Sequence, residues 1–186
     1  PAVNYRATSL SISAGNISVA VRDTKTWPFS FGVLRINESG KILWRWFSQS
    51  LPEDSRPTVA GTHYVAPDGK GGLVLVTGAL FMVRLDHNGN VLWVNREVVN
   101  ASYGMIAGLH VDKDSIVVAA NPWVFSDKTN FCPRLVHKDL NGKTLKEEVW
   151  EGYDYLHNFD VASKGTITFG LHLWDGRKFD AFAASY

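Results

Sequence analysis

The stretch VLRINESGKILWRWF, residues 33–47, is followed 49 residues later by MVRLDHNGNVLWVNR, residues 82–96. The two stretches align without a gap, and Gly40 matches Gly89. In both, alternating apolar residues lead into a polar turn that ends in glycine and then continue into a second apolar run, which predicts a β-hairpin. The Asn88-Gly89 pair predicts a two-residue turn with positive backbone angles.

A third copy, LVHKDLNGKTLKEEVW, follows at residues 135–150. Its main departure is Lys146, which stands where the first two copies have Trp44 and Trp93. Another pair of strands is predicted upstream of each hairpin, so that each repeat holds four strands. A fourth repeat begins at HNFDVASKGTITFGLHLW and stops after its third strand, and no window has helical periodicity.

Four-stranded units that repeat every 40 to 50 residues, roughly, are typical of a β-propeller. The phrases LDHNGNVLW and, less strictly, INESGKILW resemble the repeats of quinoprotein-like and arylsulfotransferase-like propellers. The resemblance implies an all-β fold, a four-bladed β-propeller of four-stranded antiparallel blades in a single domain, residues 1–186. The expected blades are residues 9–50, 58–99, 104–151 and 155–186, with an N-terminal strand, residues 2–8, completing the last blade. The alternative is an open arc that closes by forming a homodimer.

Composition excludes several classes of function. The 19 Lys and Arg residues nearly balance the 18 Asp and Glu residues, and no basic run stands out, so nucleic acid is not expected as a partner. No segment reaches the roughly 20 apolar residues that cross a bilayer, and the start PAVNYRATSL lacks the pattern of a signal peptide. The chain as given is therefore expected to be soluble, without membrane insertion. The single cysteine, Cys132, permits no internal disulfide and leaves the compartment open.

Tryptophans recur in the longer loops of the predicted blades. Three of them follow the second strand of the first, third and fourth repeats at matching positions: Trp27, Trp123 and Trp174. Binding sites usually lie on long loops held by a rigid frame. An indole face can stack on a sugar ring or a cation, and its N–H gives one directed hydrogen bond. The competing interpretation is that each indole packs beneath its own loop.

Other polar and aromatic residues in or beside the same loops complete the predicted ligand-binding set: His63, Tyr103, Asp154, Tyr155, His157, Asp175 and Arg177. His63 and His157 flank the starts of inner strands, and a hydrogen-bonded structural role is the alternative for His63. No metal site is predicted, because no pair of ligands has a suitable spacing within one element. No cofactor is predicted and no catalytic residue is assigned, because no nucleophile elbow, phosphate loop or paired cysteine motif is present.

The sequence therefore favours a ligand-binding module, lectin-like, that recognises carbohydrate through the loop tryptophans. A protein-interaction scaffold, with the same aromatics as interface anchors, is the first alternative. The second is a propeller enzyme of the hydrolase, lyase or sulfotransfer type. In that case His63, His157 and Asp154 would transfer protons at the mouth of the channel.

Overall fold

The structure is a computed structural model that describes residues 5–25, 30–53, 56, 60–78, 80–96, 103–123, 132–151, 155–161, 166–172 and 179–185. Sheet 1 contains β1 (Tyr5–Ser13), β2 (Asn16–Asp23), β3 (Phe31–Asn37) and β4 (Ile42–Phe47). A 3₁₀ turn, Ser48–Ser50, and the two-residue strand β5 (Ala60–Gly61) follow. Sheet 2 contains β6 (His63–Pro67), β7 (Leu73–Thr77), β8 (Phe81–Leu85) and β9 (Val91–Arg96).

Sheet 3 contains β10 (Tyr103–Val111), β11 (Ser115–Trp123), β12 (Arg134–Asp139) and β13 (Thr144–Val149), with β5 in parallel beside β10. Sheet 4 contains β14 (Tyr155–Val161), β15 (Thr166–His172) and β16 (Phe179–Ser185). The prediction of an all-β chain built from antiparallel sheets is confirmed. Among the residues described, no helix has the length and apolar character needed to cross a membrane.

Sheet 2 is buried on both faces because it lies between sheets 1 and 3. All five residues of β7 are buried. One face, which includes Leu73 and Leu75, forms a core with sheet 1, and the opposite face, which includes Val74 and Val76, forms a core with sheet 3. A strand covered on both sides needs apolar residues at every position, which explains the uninterrupted run LVLV. A third core joins sheets 3 and 4.

Hydrogen bonds from side chains join each sheet to the next. The Ser9 hydroxyl accepts a hydrogen bond from the Val65 backbone N–H at 3.1 Å, and the Thr62 hydroxyl accepts one from Ile106 at 2.7 Å. Between sheets 3 and 4, the buried Asn121 amide both donates to the backbone carbonyl of Leu156 and accepts from its N–H. The four sheets therefore pack in chain order, and their first long strands β1, β6, β10 and β14 are successive neighbours.

The repeated hairpins are present, but their turns differ from the prediction. In the turn after β8, Gly89 has a positive φ of 86°, whereas Asn88 does not have a positive φ. The Asp86 carboxylate accepts the backbone N–H groups of Asn88 and Asn90 and so fixes a longer loop with a single left-handed residue. A two-residue turn with two positive φ angles occurs instead at Ala14-Gly15, between β1 and β2.

The tryptophan of the first repeat and that of the second each lie across the boundary to the next sheet, and both are half-buried. The Trp44 indole N–H donates to the carbonyl of His87 at 2.8 Å, and the ring covers Gly89 so closely that a Cβ there would lie 2.9 Å from it. One sheet along, Trp93 donates to the carbonyl of Leu140 at 2.9 Å and covers Gly142, where a Cβ would lie 3.1 Å away. The hairpin glycine therefore provides both the positive φ of the turn and the surface on which the indole of the preceding sheet lies.

A buried ion pair within sheet 2 is linked to sheet 3 by one hydrogen bond. Arg84 donates to Asp68 at 2.8 Å and, through another nitrogen, to the carbonyl of Leu140 in sheet 3. Asp68 also accepts the backbone N–H groups of Lys70 and Gly72, which shapes the turn between β6 and β7. Its carboxylate is thus satisfied by partners of two kinds while fully buried.

The predicted closure of the last blade by residues 2–8 is wrong for the part that is described. Tyr5 and Ala7 belong to β1, where they pair with Asp23 and Val21 of β2. A bulge between Ala7 and Ser9 lets the two halves of β1 continue as one strand, which the alternating pattern alone could not distinguish from two strands. Sheet 4 has three described strands, and among the described strands no packing comparable to that between successive sheets joins it to sheet 1.

Replacement of the two hairpin glycines will separate backbone strain from the indole contact. Gly89→Ala and Gly40→Ala place alanine at nearly the same φ, 86° and 81°, but no atom lies within 4 Å of a Cβ at Gly40. We expect Gly40→Ala to lower the free energy of unfolding by about 1 kcal/mol and Gly89→Ala to lower it by about 1 to 3 kcal/mol more, because the indole must move. Urea unfolding measures both. Equal losses, or a difference that persists in a Trp44→Ala background, would contradict the assignment.

Loss of Arg84 will reveal the contribution of the buried pair. We expect Arg84→Met to lower the free energy of unfolding by about 3 kcal/mol, because the Asp68 charge loses its counterion while buried. The matched control is Lys113→Met, which breaks a pair whose side chains are 89% and 77% exposed. This change should stay within about 0.5 kcal/mol of the parent. Similar losses in the two variants, measured by urea unfolding, would show that the pair does not join the sheets.

Candidate functional site

The antiparallel strand order sends successive connections to opposite edges of the sheets. The turns within the pairs β1–β2, β3–β4, β6–β7, β8–β9, β10–β11, β12–β13 and β14–β15 lie at one edge, here called the hairpin edge. The connections β2–β3, β7–β8, β11–β12 and β15–β16 and the links between sheets lie at the other, here called the loop edge. The predicted binding residues that the structure describes lie in strands, at or near the ends that face the loop edge: His63, Tyr103, Trp123, Tyr155 and His157.

Polar groups at the hairpin edge are satisfied within their own turns. Asp86 and Asp139 each accept two backbone N–H groups of the turn that follows them. Hydrogen bonds from the side chain and the backbone of Asn90 lower the pKa of the Asp86 carboxyl. Asp112 accepts the N–H groups of Asp114 and Ser115 in the same manner. These carboxylates serve the turns and have little capacity left for a ligand.

At the loop edge, three buried polar side chains form a different arrangement, here called the His63 cluster: His63, Thr77 and Trp46. His63 is the first residue of β6 and pairs across the sheet with Thr77, the last residue of β7. Trp46 lies near the end of β4 in sheet 1. Phe31 lies between the two sheets, with its ring centroid 5.3 Å from that of His63 and 6.1 Å from that of Trp46.

The hydrogen-bonding groups of the His63 cluster have no partner within the described part of the chain. Both imidazole nitrogens of His63, the hydroxyl of Thr77 and the indole N–H of Trp46 are buried and unpaired. An unsatisfied buried group of this kind costs about 1 to 3 kcal/mol. Four such atoms around one aromatic ring therefore indicate a place where water or a ligand group completes the hydrogen bonding.

The His63 cluster is electrically neutral at physiological pH. Burial lowers the pKa of His63 to about 4, and the positive charge of Arg22 acts in the same direction. A neutral imidazole offers one donor and one acceptor, the Thr77 hydroxyl offers both, and the Trp46 indole offers one donor. This set can donate to and accept from uncharged hydroxyl groups or water, and its lack of acidic groups does not suit a metal ion.

The backbone beside the His63 cluster is tightly constrained. Leu80, in the connection between β7 and β8, has a positive φ of 56°, and its N–H donates to the carbonyl of Thr77. The next residue after Thr77, Gly78, approaches Gly104 of sheet 3 so closely that a Cβ at either position would lie within about 2 Å of the other's carbonyl oxygen. A left-handed leucine is a strained conformation of the kind that concentrates at functional sites.

A second group of predicted residues meets at the loop edge of sheet 3. Tyr103 and Trp123 are cross-strand partners at the ends of β10 and β11, with the backbone alone described for both. Trp123 is therefore the last residue of a strand, whereas the sequence placed it in the loop beyond. The hydroxyl of Tyr155, in β14, contacts the sulfur of Met105 in β10. Three predicted residues thus lie on neighbouring strands.

The remaining predicted residues are described in part or lie outside the described residues. His157 lies in β14, with its backbone alone described. Five lie outside the described residues: Trp27, Asp154, Trp174, Asp175 and Arg177. His63 begins an inner strand as predicted, but it is buried and lacks the hydrogen bonds that a structural histidine was expected to make.

Sequence reasoning missed Thr77 and Trp46. Thr77 follows an apolar run and looks like the end of a core strand, and its register opposite His63 could not be read from the pattern. Trp46 lies two residues after Trp44 and therefore on the same face of β4, and the pattern did not show that Trp46 is buried while Trp44 is half-buried. Across the described residues, no group of three or more His, Cys, Asp or Glu side chains could hold a metal ion.

Neither family models nor curated proteins match this sequence. Its fold is nevertheless similar to that of solved β-propellers. BamB from Moraxella catarrhalis superposes with a TM-score of 0.56 at 10% identity, over 90% of this chain and 40% of that one. A Bacteroides caccae protein of unknown function gives 0.53 at 12% identity, over 95% and 60%. The acylaminoacyl peptidase from Pyrococcus horikoshii gives 0.56 at 10% identity, over 97% and 31%.

This chain therefore spans less than two thirds of the length of each of these proteins. At identities of 10% to 12%, the superpositions establish the architecture and nothing about the ligand. The propeller-like fold expected from the repeats is confirmed by these comparisons.

The protonation of His63 will make stability depend on pH. Its pKa is about 4 in the folded protein against an ordinary value of 6.5. The unfolded chain therefore binds the proton first, and stability falls as the pH drops from 6.5 towards 4, by about 3 kcal/mol in total. Urea unfolding between pH 7 and pH 4 should show a smaller loss in His63→Phe, which keeps the ring contact with Phe31. Burial also lowers the pKa of His137, so some dependence persists.

The control for removal of a histidine is His87→Gln, at an exposed turn position. Parallel pH profiles for the parent and His63→Phe would rule out a buried neutral imidazole at this position.

Proposed function

We propose that this protein is a ligand-binding β-propeller module that recognises an uncharged, hydroxyl-rich ligand of the carbohydrate class at the loop edge. The observation that carries the proposal is the His63 cluster, whose neutral donors and acceptors lack partners in the described part of the chain. The loop tryptophans Trp27, Trp123 and Trp174 supply the stacking surfaces in this proposal, with the other predicted loop residues around them.

The contrast between the two edges supports this location. At the hairpin edge, the carboxylates of Asp86, Asp112 and Asp139 are saturated by their own turns. At the loop edge, the unpaired groups of the His63 cluster lie beneath the connections that vary most in length between repeats. A rigid array of sheets with variable loops on one side is the usual arrangement for a binding surface.

The chemistry of the His63 cluster favours a neutral ligand over an ionic one. Desolvation of a charged group is costly unless an opposite charge meets it, and the cluster itself carries no charge at neutral pH. A sugar presents hydroxyl groups that both donate and accept, together with an apolar ring face that packs on indole. Both requirements are supplied by residue types at the loop edge.

In this proposal the four sheets act as four consecutive blades of one domain, with blades near residues 9–50, 58–99, 104–151 and 155–186. Three of the four blades then present a longer loop at this edge, and the links between successive blades lie there as well, so that related subsites can repeat around it. Repetition of weak sites raises the affinity for a multivalent glycan without any new contact.

Glycan-array screening followed by titration calorimetry tests the proposal. We expect the chain to bind at least one neutral glycan. Changing Trp27, Trp123 and Trp174 together to alanine should abolish binding, with losses of roughly 1 kcal/mol or more for each ring. The matched control changes the same residues to phenylalanine, which keeps a stacking face and removes only the indole N–H. It should retain part of the affinity.

Two outcomes would contradict the proposal. One is the absence of any glycan bound at millimolar concentration by a chain that is folded by circular dichroism. The other is capture of one stoichiometric protein partner whose binding no sugar competes with, which would assign the same aromatics to a protein interface.

A further inference from the structure

Sheet 1 has one face that no other described sheet covers, here called the open face. It contains two apolar cross-strand rows whose members come from β1, β2 and β3, namely Leu10–Val19–Leu34 and Ile12–Ile17–Ile36. Leu10 is 66% exposed and Ile12 is 68% exposed, and the other four are half-buried. Contiguous apolar surface of this kind on a soluble sheet marks an interaction site.

The open face matches the buried faces of the next two sheets position by position. The row Leu10–Val19–Leu34 in sheet 1 corresponds to Val65–Leu75–Val83 in sheet 2, which is buried against sheet 1. It also corresponds to Leu109–Val118–Val136 in sheet 3, which packs against sheet 2. The same kind of residue in the same register is therefore covered by a preceding sheet in both cases.

The hairpin of sheet 1 also lacks the contact that the next two hairpins receive. Gly89 and Gly142 lie under the tryptophans of the preceding sheets, at 2.9 Å and 3.1 Å from a would-be Cβ. Gly40 has a similar left-handed φ, 81°, but among the described residues no atom beyond its chain neighbours lies within 4 Å of a Cβ there. Gly40 therefore offers the same kind of surface for an indole, and no indole of the described residues covers it.

We propose that the open face of sheet 1 is an interface for a further sheet of the same four-stranded type, whose outermost strand places a tryptophan over Gly40. The indole N–H of that tryptophan donates to the backbone carbonyl of Glu38, which corresponds to the carbonyls of His87 and Leu140. The sheet belongs to polypeptide outside residues 1–186. This inference is independent of the proposed function.

A second copy of this chain does not fit the interface as well. Both tryptophans of the required type, Trp44 and Trp93, are already engaged with the hairpins of their own chain. Sheet 3 has Lys146 at that position, and sheet 4 has no fourth strand among the residues described. Within the described chain, no sheet therefore has a free face and an unengaged tryptophan together.

The test supplies the missing sheet by extending the whole chain at its N-terminus. A second copy of residues 60–98 is joined directly to Pro1. The link between the added β9 and β1 is then six residues, the same as residues 97–102 between β9 and β10. The measurement is the loss in the midpoint of thermal unfolding caused by Gly40→Ala, with and without the extension. The control extension has lysine in place of its copy of Trp93, as in the third repeat.

Without the extension, Gly40→Ala should lower the midpoint clearly less than Gly89→Ala does. In the extended chain the loss from Gly40→Ala should rise to that of Gly89→Ala, and with the lysine control it should fall back. An extension that stays unfolded, or that folds without changing the Gly40→Ala loss, overturns the proposal.

A second measurement uses residues 1–186 alone. The chain should be a monomer by light scattering and should bind the dye ANS. The double change Leu10→Lys and Ile12→Lys should reduce dye fluorescence several-fold without lowering the unfolding midpoint. A lower midpoint would mean that sheet 4 already covers the face, and a dimer dispersed by the double change would mean that a second copy covers it. Either result overturns the proposal.

Discussion

The structure depends on the contact between a tryptophan on the outermost strand of one sheet and a glycine in the hairpin of the next. Trp44 over Gly89 and Trp93 over Gly142 each combine ring packing with one hydrogen bond to a turn carbonyl. A four-stranded sheet has two large faces and cannot bury both by itself, so neighbouring sheets must be held in register. The indole fixes that register at the outer rim, while hydroxyl contacts such as Ser9 with Val65 fix it at the inner strands.

This arrangement places the tryptophan contacts between sheets and the proposed binding surface at opposite edges. Nearer the loop edge, Thr62 and Asn121 join successive sheets. At the hairpin edge, Trp44, Trp93 and Arg84 do so. Substitutions there act on stability. The loop edge carries little of this network between sheets 1 and 2, and its buried groups at His63 and Thr77 are left without partners in the described residues. Loops can therefore change at this edge without loosening the array, which is the condition for a binding surface to diversify.

The sequence was informative wherever a local pattern sets the structure. The repeated hairpins and the absence of helix follow from alternation and glycine placement, and the structure agrees. The turn type after β8 could not be predicted from Asn88-Gly89, because the Asp86 carboxylate, two residues earlier, determines it. The pairing of Tyr5 and Ala7 with β2 could not be predicted either, because alternation shows that a strand exists but not which strand it pairs with. The unpaired state of His63 depends on register across two sheets and leaves no local signal.

The third repeat differs from the first two at the position of this tryptophan. Lys146 replaces it on β13, where the neighbouring sheet, sheet 4, has no hairpin after its third strand among the described residues. Lys146 forms an ion pair with Glu148 at 2.7 Å. The hairpin of sheet 3, which Trp93 covers, is also stabilised from within, because the buried Lys138 ammonium donates to the carbonyl of Gly142 and the hydroxyl of Thr144.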